Sequence, residues 1–199
     1  VFGSARVREG NRWYEAARAF ARIASERGGA LDEGPGGRHH VIATGGGPGI
    51  MEAANRGAGD AGAVSIGFNI TLPHEQDPNA FSTPDLTFRF HYFAMRKMHL
   101  AMRAAALVAF PGGFGTLDEL FEILTLTQTG KMSPVPVILY DSSFWKGLFN
   151  LERLAEAGLI RKEDLELFCY ADSPEEAYAR IVEGAGDDWI PAAADNVQT

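Results

Sequence analysis

Short apolar runs alternate with amphipathic stretches along the whole chain. The apolar runs predict buried parallel strands, because strands covered on both faces are apolar throughout. These runs are residues 1–5, 41–43, 63–68, 86–90, 106–110, 135–140 and 167–170. The amphipathic stretches have apolar residues at helical spacing and predict helices. These stretches are residues 11–28, 48–61, 92–105, 116–129, 144–157 and 174–183.

One domain accounts for almost the whole chain. The alternation predicts an α/β fold, a Rossmann-like doubly wound parallel sheet with three α/β/α layers. We expect the domain to cover residues 1–184 and residues 185–199 to form a C-terminal tail. A Pro-rich loop at residues 69–85 has the length of a functional or disordered loop. Its Asn69 and Glu75 either contact ligand hydroxyl groups or belong to an ordinary polar loop.

Composition narrows the classes of partner. The chain has 199 residues and a formal net charge of −8, which argues against nucleic acid or an anionic membrane as partner. A single cysteine, Cys169, excludes an internal disulfide and a multi-cysteine zinc site. No apolar run reaches about 18 residues and no signal peptide is present, so we expect a cytoplasmic protein. The chain opens at Val1 without Met, and a preceding segment could have carried targeting information.

The most specific motif is a glycine-rich turn at residues 111–119, Pro-Gly-Gly-Phe-Gly-Thr-Leu-Asp-Glu. It lies between the apolar run at 106–110 and a helical apolar stripe, so it joins a strand to a helix. Glycines let the backbone approach a ligand closely, and a helix N-terminus offers free N–H groups to an anion. The turn therefore predicts a phosphate site. Its candidate binding residues are Gly112, Gly113, Gly115 and Thr116.

A second glycine-rich turn follows the strand at 41–43. Its candidate binding residues are Gly45, Gly46, Gly47 and Gly49, and Pro48 is expected at the first helical position. Carboxyl ends of parallel strands meet at one sheet edge, so the two turns could hold one phosphate between them. Neither turn has the ending of a P-loop or the spacing of a dinucleotide turn, which favours a mononucleotide or sugar phosphate. The alternative is that these glycines serve only tight turns and helix packing.

Glu119 has two interpretations. Thr116 and Glu119 fit a capping box, in which both side chains satisfy N–H groups at the start of a helix. Alternatively, a carboxylate beside a phosphate site stabilises an oxocarbenium ion or activates water when a glycosidic bond breaks. Glutamine would still cap but would not do this chemistry.

Arg96 and Lys97 also have two interpretations. Arg103 lies seven residues after Arg96 and therefore on the same helix face. Either Arg96 points to a bound nucleotide, or the three residues form a solvated basic face. No histidine pair has the spacing of metal ligands, and no lysine is placed for a Schiff base with pyridoxal phosphate. We therefore expect neither a metal nor a cofactor.

Three segments together resemble the LOG family, cytokinin riboside 5'-monophosphate phosphoribohydrolases long mislabelled as lysine decarboxylases. The segments are Gly45–Met51, Met95–Lys97 and Pro111–Glu119. They match, in order, the family's G-G-G-x-x-G-x-M, its Arg-Lys pair and its P-G-G-x-G-T-x-x-E. The resemblance spans about residues 1–184. Plant-type members have Met-His-Glu before the Arg-Lys pair, whereas Phe93–Met95 here is similar to the bacterial branch.

The resemblance implies an enzyme with a Rossmann-like fold and no metal or cofactor. Arg96 and Glu119 match the family's catalytic residues, and Met95 and Lys97 become further candidates for nucleotide binding. The implied reaction is hydrolysis of the N-glycosidic bond of adenine nucleoside 5'-monophosphates, AMP or a cytokinin nucleotide, to free base and ribose 5-phosphate. The implied partners are this small-molecule substrate and further copies of the chain, as a homodimer or a larger homo-oligomer.

Two other functions stay open on the same scaffold. Molybdenum cofactor carrier proteins share the fold and similar glycine turns, and they bind a pterin phosphate without turnover. A nucleotide-sensing module that has lost activity is the third hypothesis. The intact Arg96 and Glu119 favour the enzyme, because an anion binder gains nothing from a carboxylate near its phosphate.

Overall fold

Six parallel strands support the fold in the part of the chain that a computed structural model describes, residues 1–71 and 77–185. The strands are β1 (Ile42–Thr44), β2 (Ser65–Ile70), β3 (Thr87–Phe90), β4 (Leu107–Ala109), β5 (Val137–Tyr140) and β6 (Cys169–Ala171). They form two three-stranded sheets, ordered β1-β2-β3 and β4-β5-β6, with every neighbouring pair parallel.

The N-terminal segment joins the two sheets. Phe2 forms a parallel bridge with Ala109, and its N–H donates to Val108 O at 3.0 Å. On the other side, the Val1 nitrogen donates to Ala43 O at 2.7 Å. The complete order is therefore β3-β2-β1, the Phe2 segment, β4-β5-β6. The strand predicted at residues 1–5 is reduced to this bridge.

Seven helices cover the sheet in the described ranges. They are α1 (Arg12–Arg27), α2 (Ile50–Asp60), α3 (Phe93–Met102), α4 (Phe114–Gln128), α5 (Ser142–Leu148), α6 (Glu152–Glu156) and α7 (Pro174–Ala185). One core packs α1, α2 and α7 on one face, and a second packs α3, α4 and α5 on the other. The predicted Rossmann-like fold with three layers is confirmed. No helix in these ranges is long and apolar enough to cross a membrane.

The helix predicted at 144–157 is two helices. Asp141 Oδ1 accepts a hydrogen bond from Phe144 N at 3.1 Å and starts α5 early. Phe149 then takes an extended backbone, and α6 begins after Leu151, where Asn150 Oδ1 accepts from Arg153 N at 3.0 Å. The Asp141 cap and the extended backbone at Phe149 override the continuous apolar pattern here. Glu75 and the predicted tail beyond residue 185 lie outside the described residues.

The contact between α1 and α2 depends on the missing side chain of Gly57. A Cβ at this position would collide with Arg18 O of α1, and the residue is fully covered. Gly59, two residues later in α2, is exposed and has open space around it. The same substitution should therefore have opposite effects at the two positions.

We expect Gly57→Ala to lower the free energy of unfolding by about 1–3 kcal/mol, because the helices must separate. Gly59→Ala should raise it by up to about 1 kcal/mol, since alanine favours a helix over glycine. Denaturant unfolding of both variants measures the difference. Equal effects at the two positions would contradict this packing of α1 on α2.

Candidate active site

Two glycine turns lie side by side at the carboxyl edge of the sheet, and Ser4 joins them. The Ser4 N–H donates to Pro111 O of the turn after β4 at 3.1 Å. Its carbonyl oxygen accepts from Ile50 N, the first N–H of α2, at 3.1 Å. The tertiary structure thus brings together two turns that are more than sixty positions apart in the chain.

The turn after β1 needs glycine for its backbone shape. Gly46 and Gly49 have φ angles of 69° and 72°, which L side chains rarely adopt. A Cβ on Gly49 would also collide with Ser4 O. The helix begins after Gly49, so the prediction that Pro48 opens it is wrong. The left-handed cap residue must come between the proline and the first helical residue, Ile50.

The turn after β4 presents an open helix N-terminus. Gly112 packs so tightly against Thr116 that no Cβ fits, whereas Gly113 and Gly115 border open space. Helix α4 begins at Phe114 with Gly113 as its N-cap, and no side chain among residues 1–71 and 77–185 caps it. The first N–H groups of α4 therefore lack both intrahelical and cap acceptors, which is the usual arrangement of an anion site.

The capping-box interpretation of Glu119 is wrong. Helix α4 starts two residues earlier than the apolar stripe predicts, because Gly113 rather than Thr116 is its N-cap. Thr116 and Glu119 consequently lie inside the helix, and both are buried. A residue this far into the helix has no role in satisfying its first N–H groups.

Glu119 instead forms a buried ion pair with Arg96 of α3. Arg96 Nη2 donates to Glu119 Oε1 at 2.6 Å, and the side chains are 10% and 4% exposed. Burial excludes a solvated basic face for Arg96. The guanidinium lies over the Phe93 ring at 5.4 Å, and its Nη1 would be 3.2 Å from a Cβ on Gly45. Arg96 of this pair therefore lies against the first glycine turn.

Among the described residues, Arg96 keeps one unpaired donor in this ion pair, and the pKa of Glu119 is shifted. The buried Nε of Arg96 has no hydrogen-bond partner within residues 1–71 and 77–185. Burial raises the pKa of Glu119 above its ordinary 4.5, and the Arg96 charge opposes this shift. A guanidinium with a spare buried donor beside glycine turns can bind an anion, and the partly desolvated carboxylate can stabilise a nearby cation or accept a proton.

Met95 and Lys97, the neighbours of Arg96 in the motif, have different surroundings from Arg96. Lys97 Nζ pairs with Asp118 at 2.8 Å and Glu122 at 3.3 Å, which holds its ammonium group over α4. Met95 is 46% exposed. Arg103 follows the last residue of α3, Met102, and is exposed, so it does not share the burial of Arg96.

Other polar candidates give a mixed result. Asn69 is buried beside the first turn, with Nδ2 at 3.5 Å from Gly46 O. In the ranges that the structure describes, no group of three or more metal-ligating side chains forms. His74 and Glu75 lie outside those ranges.

Three residues of this edge were not expected to belong to the site. They are Ser4, Asn55 and Asn79, which contact the first turn or its supporting residues. Asn55 did carry a signal, since it is a polar residue within the buried alanine stripe of α2. Ser4 and Asn79 carried none, because their contacts are long-range.

Fold and site define a Rossmann-like α/β protein with paired glycine turns and a buried arginine–carboxylate pair. The sequence model of the family described as "Possible lysine decarboxylase" matches residues 51–181. With its three motifs, the chain belongs to this family, the LOG family.

Named relatives are plant proteins. The chain is 27% identical over 148 residues to "Probable cytokinin riboside 5'-monophosphate phosphoribohydrolase LOG4" of Oryza sativa subsp. japonica, covering 73% of this chain and 63% of that protein. It is 28% identical over 148 residues to "Cytokinin riboside 5'-monophosphate phosphoribohydrolase LOG3" of Arabidopsis thaliana, covering 73% and 67%. The chain thus spans less than two thirds of the rice relative's length.

Solved structures share the fold. The molybdenum cofactor binding protein from Rippkaea orientalis superposes with a TM-score of 0.60 at 22% identity, covering 92% of this chain and 91% of that one. The Moco carrier protein from Chlamydomonas reinhardtii gives a TM-score of 0.59 at 20% identity, with coverage of 92% and 91%. At such identity these structures support the fold alone.

The raised pKa of Glu119 predicts a pH-dependent difference in stability between the wild type and Glu119→Gln. A carboxyl whose folded pKa is raised contributes stability below its unfolded pKa and loses it as pH rises through the folded pKa. The wild type should therefore lose stability relative to the variant as pH rises above the ordinary glutamate pKa of 4.5. The lost ion pair adds an offset without a slope, because arginine does not titrate there.

Chemical denaturation of both proteins across this range measures the difference. Groups remote from Glu119 titrate equally in both proteins and cancel. The Val1 amino group is coupled to Glu119, whose charge raises its pKa, and this coupling changes the difference in the same direction. A difference that is constant, or that grows in favour of the wild type with pH, would contradict the raised pKa.

Proposed function

We propose that this chain is a phosphoribohydrolase that acts on adenine nucleoside 5'-monophosphates, AMP or cytokinin riboside monophosphates. It would release the free base and ribose 5-phosphate. The observation that carries the proposal is the buried Arg96–Glu119 pair at 2.6 Å beside two glycine turns. The family supports it, since the rice and Arabidopsis relatives are named for this reaction.

The turns are the proposed phosphate site. The uncapped N-terminus of α4 and the turn before α2 offer N–H donors, and the helix dipoles favour negative charge there. Arg96 lies between Gly45 of the first turn and Glu119, so its guanidinium charge can orient the nucleotide. Phosphate binding would thus place the ribose near the carboxylate.

Glu119 is the proposed catalytic carboxylate. Hydrolysis breaks the bond between C1′ and the base nitrogen, and water supplies the new C1′–O bond. The ribosyl centre becomes positive as the base leaves, and an ionised Glu119 stabilises it or accepts the proton of the attacking water. The leaving base takes up a proton, so water is the only co-reactant.

A carrier function is the second candidate, because named molybdenum cofactor proteins have the same fold. The Arg96–Glu119 pair favours hydrolysis over a carrier. A carboxylate near a phosphate repels it, so a protein that only binds anions gains nothing from Glu119. A reaction with a cationic transition state does gain from it.

We expect the purified protein to release adenine and ribose 5-phosphate from AMP, and Glu119→Gln to abolish this release. Glutamine keeps an acceptor oxygen for Arg96 but cannot accept a proton or balance a full positive charge. The loss should be at least about 100-fold in kcat, the usual size of a general-base contribution. Chromatography of the products measures it.

The matched control is Asp164→Asn, which also removes a buried carboxylate paired with an arginine, Arg161 at 2.9 Å, away from the turns. This control should keep activity. Binding of AMP without release by the wild type would favour the carrier or the sensor. Equal activity in Glu119→Gln would remove this residue from the mechanism.

We further propose that the chain forms a homodimer through α3. Four large apolar side chains of this helix are solvent-exposed: Phe93 (52%), Met95 (46%), Met98 (43%) and Met102 (72%). Phe93, Met98 and Met102 line a groove of about 770 Å³ between α3 and α4. Such a continuous apolar surface is typical of an interaction site.

Charge complementarity favours a second copy as the occupant of this surface. The groove is lined by Lys97 and Lys131 together with Asp118 and Glu122. A two-fold interface brings a patch against itself, and a patch with both signs at its border and an apolar centre can do so without net repulsion.

Met102→Glu should convert the dimer into a monomer, because a two-fold axis places the new charge in the interface from both copies. Light scattering coupled to size exclusion measures the mass. The control is Leu159→Glu, since Leu159 is also 72% exposed but lies outside the groove. A wild type that is monomeric at every concentration would rule out the homodimer.

A further inference from the structure

A chain of hydrogen bonds encloses the first glycine turn. The Gly46 N–H donates to Thr44 Oγ1 at 2.9 Å, and Thr44 Oγ1 donates to Asn55 Oδ1 at 2.8 Å. Asn79 Nδ2 donates both to Asn55 Oδ1 at 3.0 Å and to Gly47 O at 2.9 Å. This series of hydrogen bonds therefore starts at Gly46 of the turn and ends at Gly47.

The backbone of Asn79 adds a second connection. Its N–H donates to Gly46 O at 2.8 Å. Both carbonyl groups at the centre of the turn are thus bound by one residue of the loop after β2. Asn55 is fully buried and its Nδ2 donates to Ser65 Oγ at 2.9 Å, so the polar groups of the network are satisfied.

These bonds determine which way the turn presents its N–H groups. In a trans peptide the C=O of one residue and the N–H of the next point in opposite directions, and no peptide bond of the described chain is cis. With Gly46 O held on Asn79, the Gly47 N–H points away from Asn79. Within residues 1–71 and 77–185 this N–H has no acceptor.

We propose that Asn79 is a positioning residue for the phosphate site. It draws the carbonyl oxygens of Gly46 and Gly47 to one side, which leaves the Gly47 N–H free for an anion on the other. A free Gly-Gly-Gly segment would lose much backbone entropy on binding. The bonds from Asn79 to Gly46 O and Gly47 O, together called the clamp, restrict the segment before binding and so lower that entropic cost. The proposal rests on the proposed function for the identity of its ligand, a sugar phosphate.

The side chain of Asn79 has two separable roles. Its Oδ1 accepts from Phe81 N and Ser82 N, each at 3.1 Å, and shapes its own loop. Its Nδ2 alone reaches Gly47 O and Asn55. Asn79→Asp keeps the acceptor oxygen for the loop but places a carboxylate oxygen against two acceptors. It therefore removes the side-chain bonds to Gly47 O and Asn55 and leaves the backbone bond from Asn79 N–H to Gly46 O.

Substitutions at Thr44 test the same hydrogen-bond network at its Gly46 end. Thr44→Val removes the hydroxyl that accepts from Gly46 N and donates to Asn55, with little change in volume. Thr44→Ser keeps that hydroxyl and should restore the wild-type behaviour. A matched control for the charge is Asn150→Asp, because Asn150 Oδ1 only accepts a bond from Arg153 N in α6.

The test combines amide hydrogen exchange without ligand, calorimetric binding of ribose 5-phosphate, and AMP hydrolysis. In Asn79→Asp and Thr44→Val we expect faster exchange in the segment 44–50 and a loss of at least about tenfold in ribose 5-phosphate affinity, the size of one lost preorganising interaction. KM for AMP should rise more than kcat falls, since the lost interaction is to the non-reacting phosphate. Thr44→Ser and Asn150→Asp should behave as the wild type.

Unchanged exchange at 44–50 in Asn79→Asp would overturn the inference, and so would faster exchange with unchanged ribose 5-phosphate affinity. A wild type that does not bind ribose 5-phosphate would overturn it together with the phosphate site. A wild type that binds ribose 5-phosphate but does not hydrolyse AMP would overturn the proposed function alone, and the exchange and affinity results would still decide the role of Asn79.

Discussion

The ion pair between Arg96 and Glu119 is the constraint around which the site is arranged. Each charge alone would cost several kcal/mol to bury, so neither helix α3 nor helix α4 can move without exposing or stranding a charge. Both helices begin at the carboxyl edge of the sheet, directly after β3 and β4. The pair therefore fixes the helix starts, and with them the second glycine turn, relative to one another.

Backbone contacts supply the other half of the arrangement. Ser4 connects the two turns through its own N–H and carbonyl groups, and Asn79 holds the carbonyls of the first turn. Glycine is needed at Gly49 and Gly112 because neighbouring atoms occupy the place of a Cβ. With Gly46 O held on Asn79, the Gly47 N–H points to the opposite side, which is the polarity that a bound anion requires.

The same fold occurs in proteins named as molybdenum cofactor carriers and in the LOG family, so the sheet and helices do not choose between a carrier and a hydrolase. The difference between these two functions depends on individual side chains. A glycine-lined helix N-terminus suits any phosphate, whereas a desolvated carboxylate next to it suits a reaction that develops positive charge. Lys97, the next residue of the same motif, differs from Arg96. Its ammonium group pairs with Asp118 and Glu122 on the helix surface.

The sequence by itself determined the order of strands and helices, the fold class and the two glycine turns, because each depends on local periodicity or on backbone freedom within a few residues. It left Glu119 divided between a cap and a catalytic carboxylate, since that distinction depends on where α4 begins. Only the tertiary structure excluded the cap, by making Gly113 the N-cap and by burying Glu119 against Arg96, twenty-three positions away. The contacts of Ser4 and Asn79 were likewise beyond the sequence, because hydrogen bonds across long chain separations leave no periodic signal and exist only once the sheet has brought its carboxyl edge together.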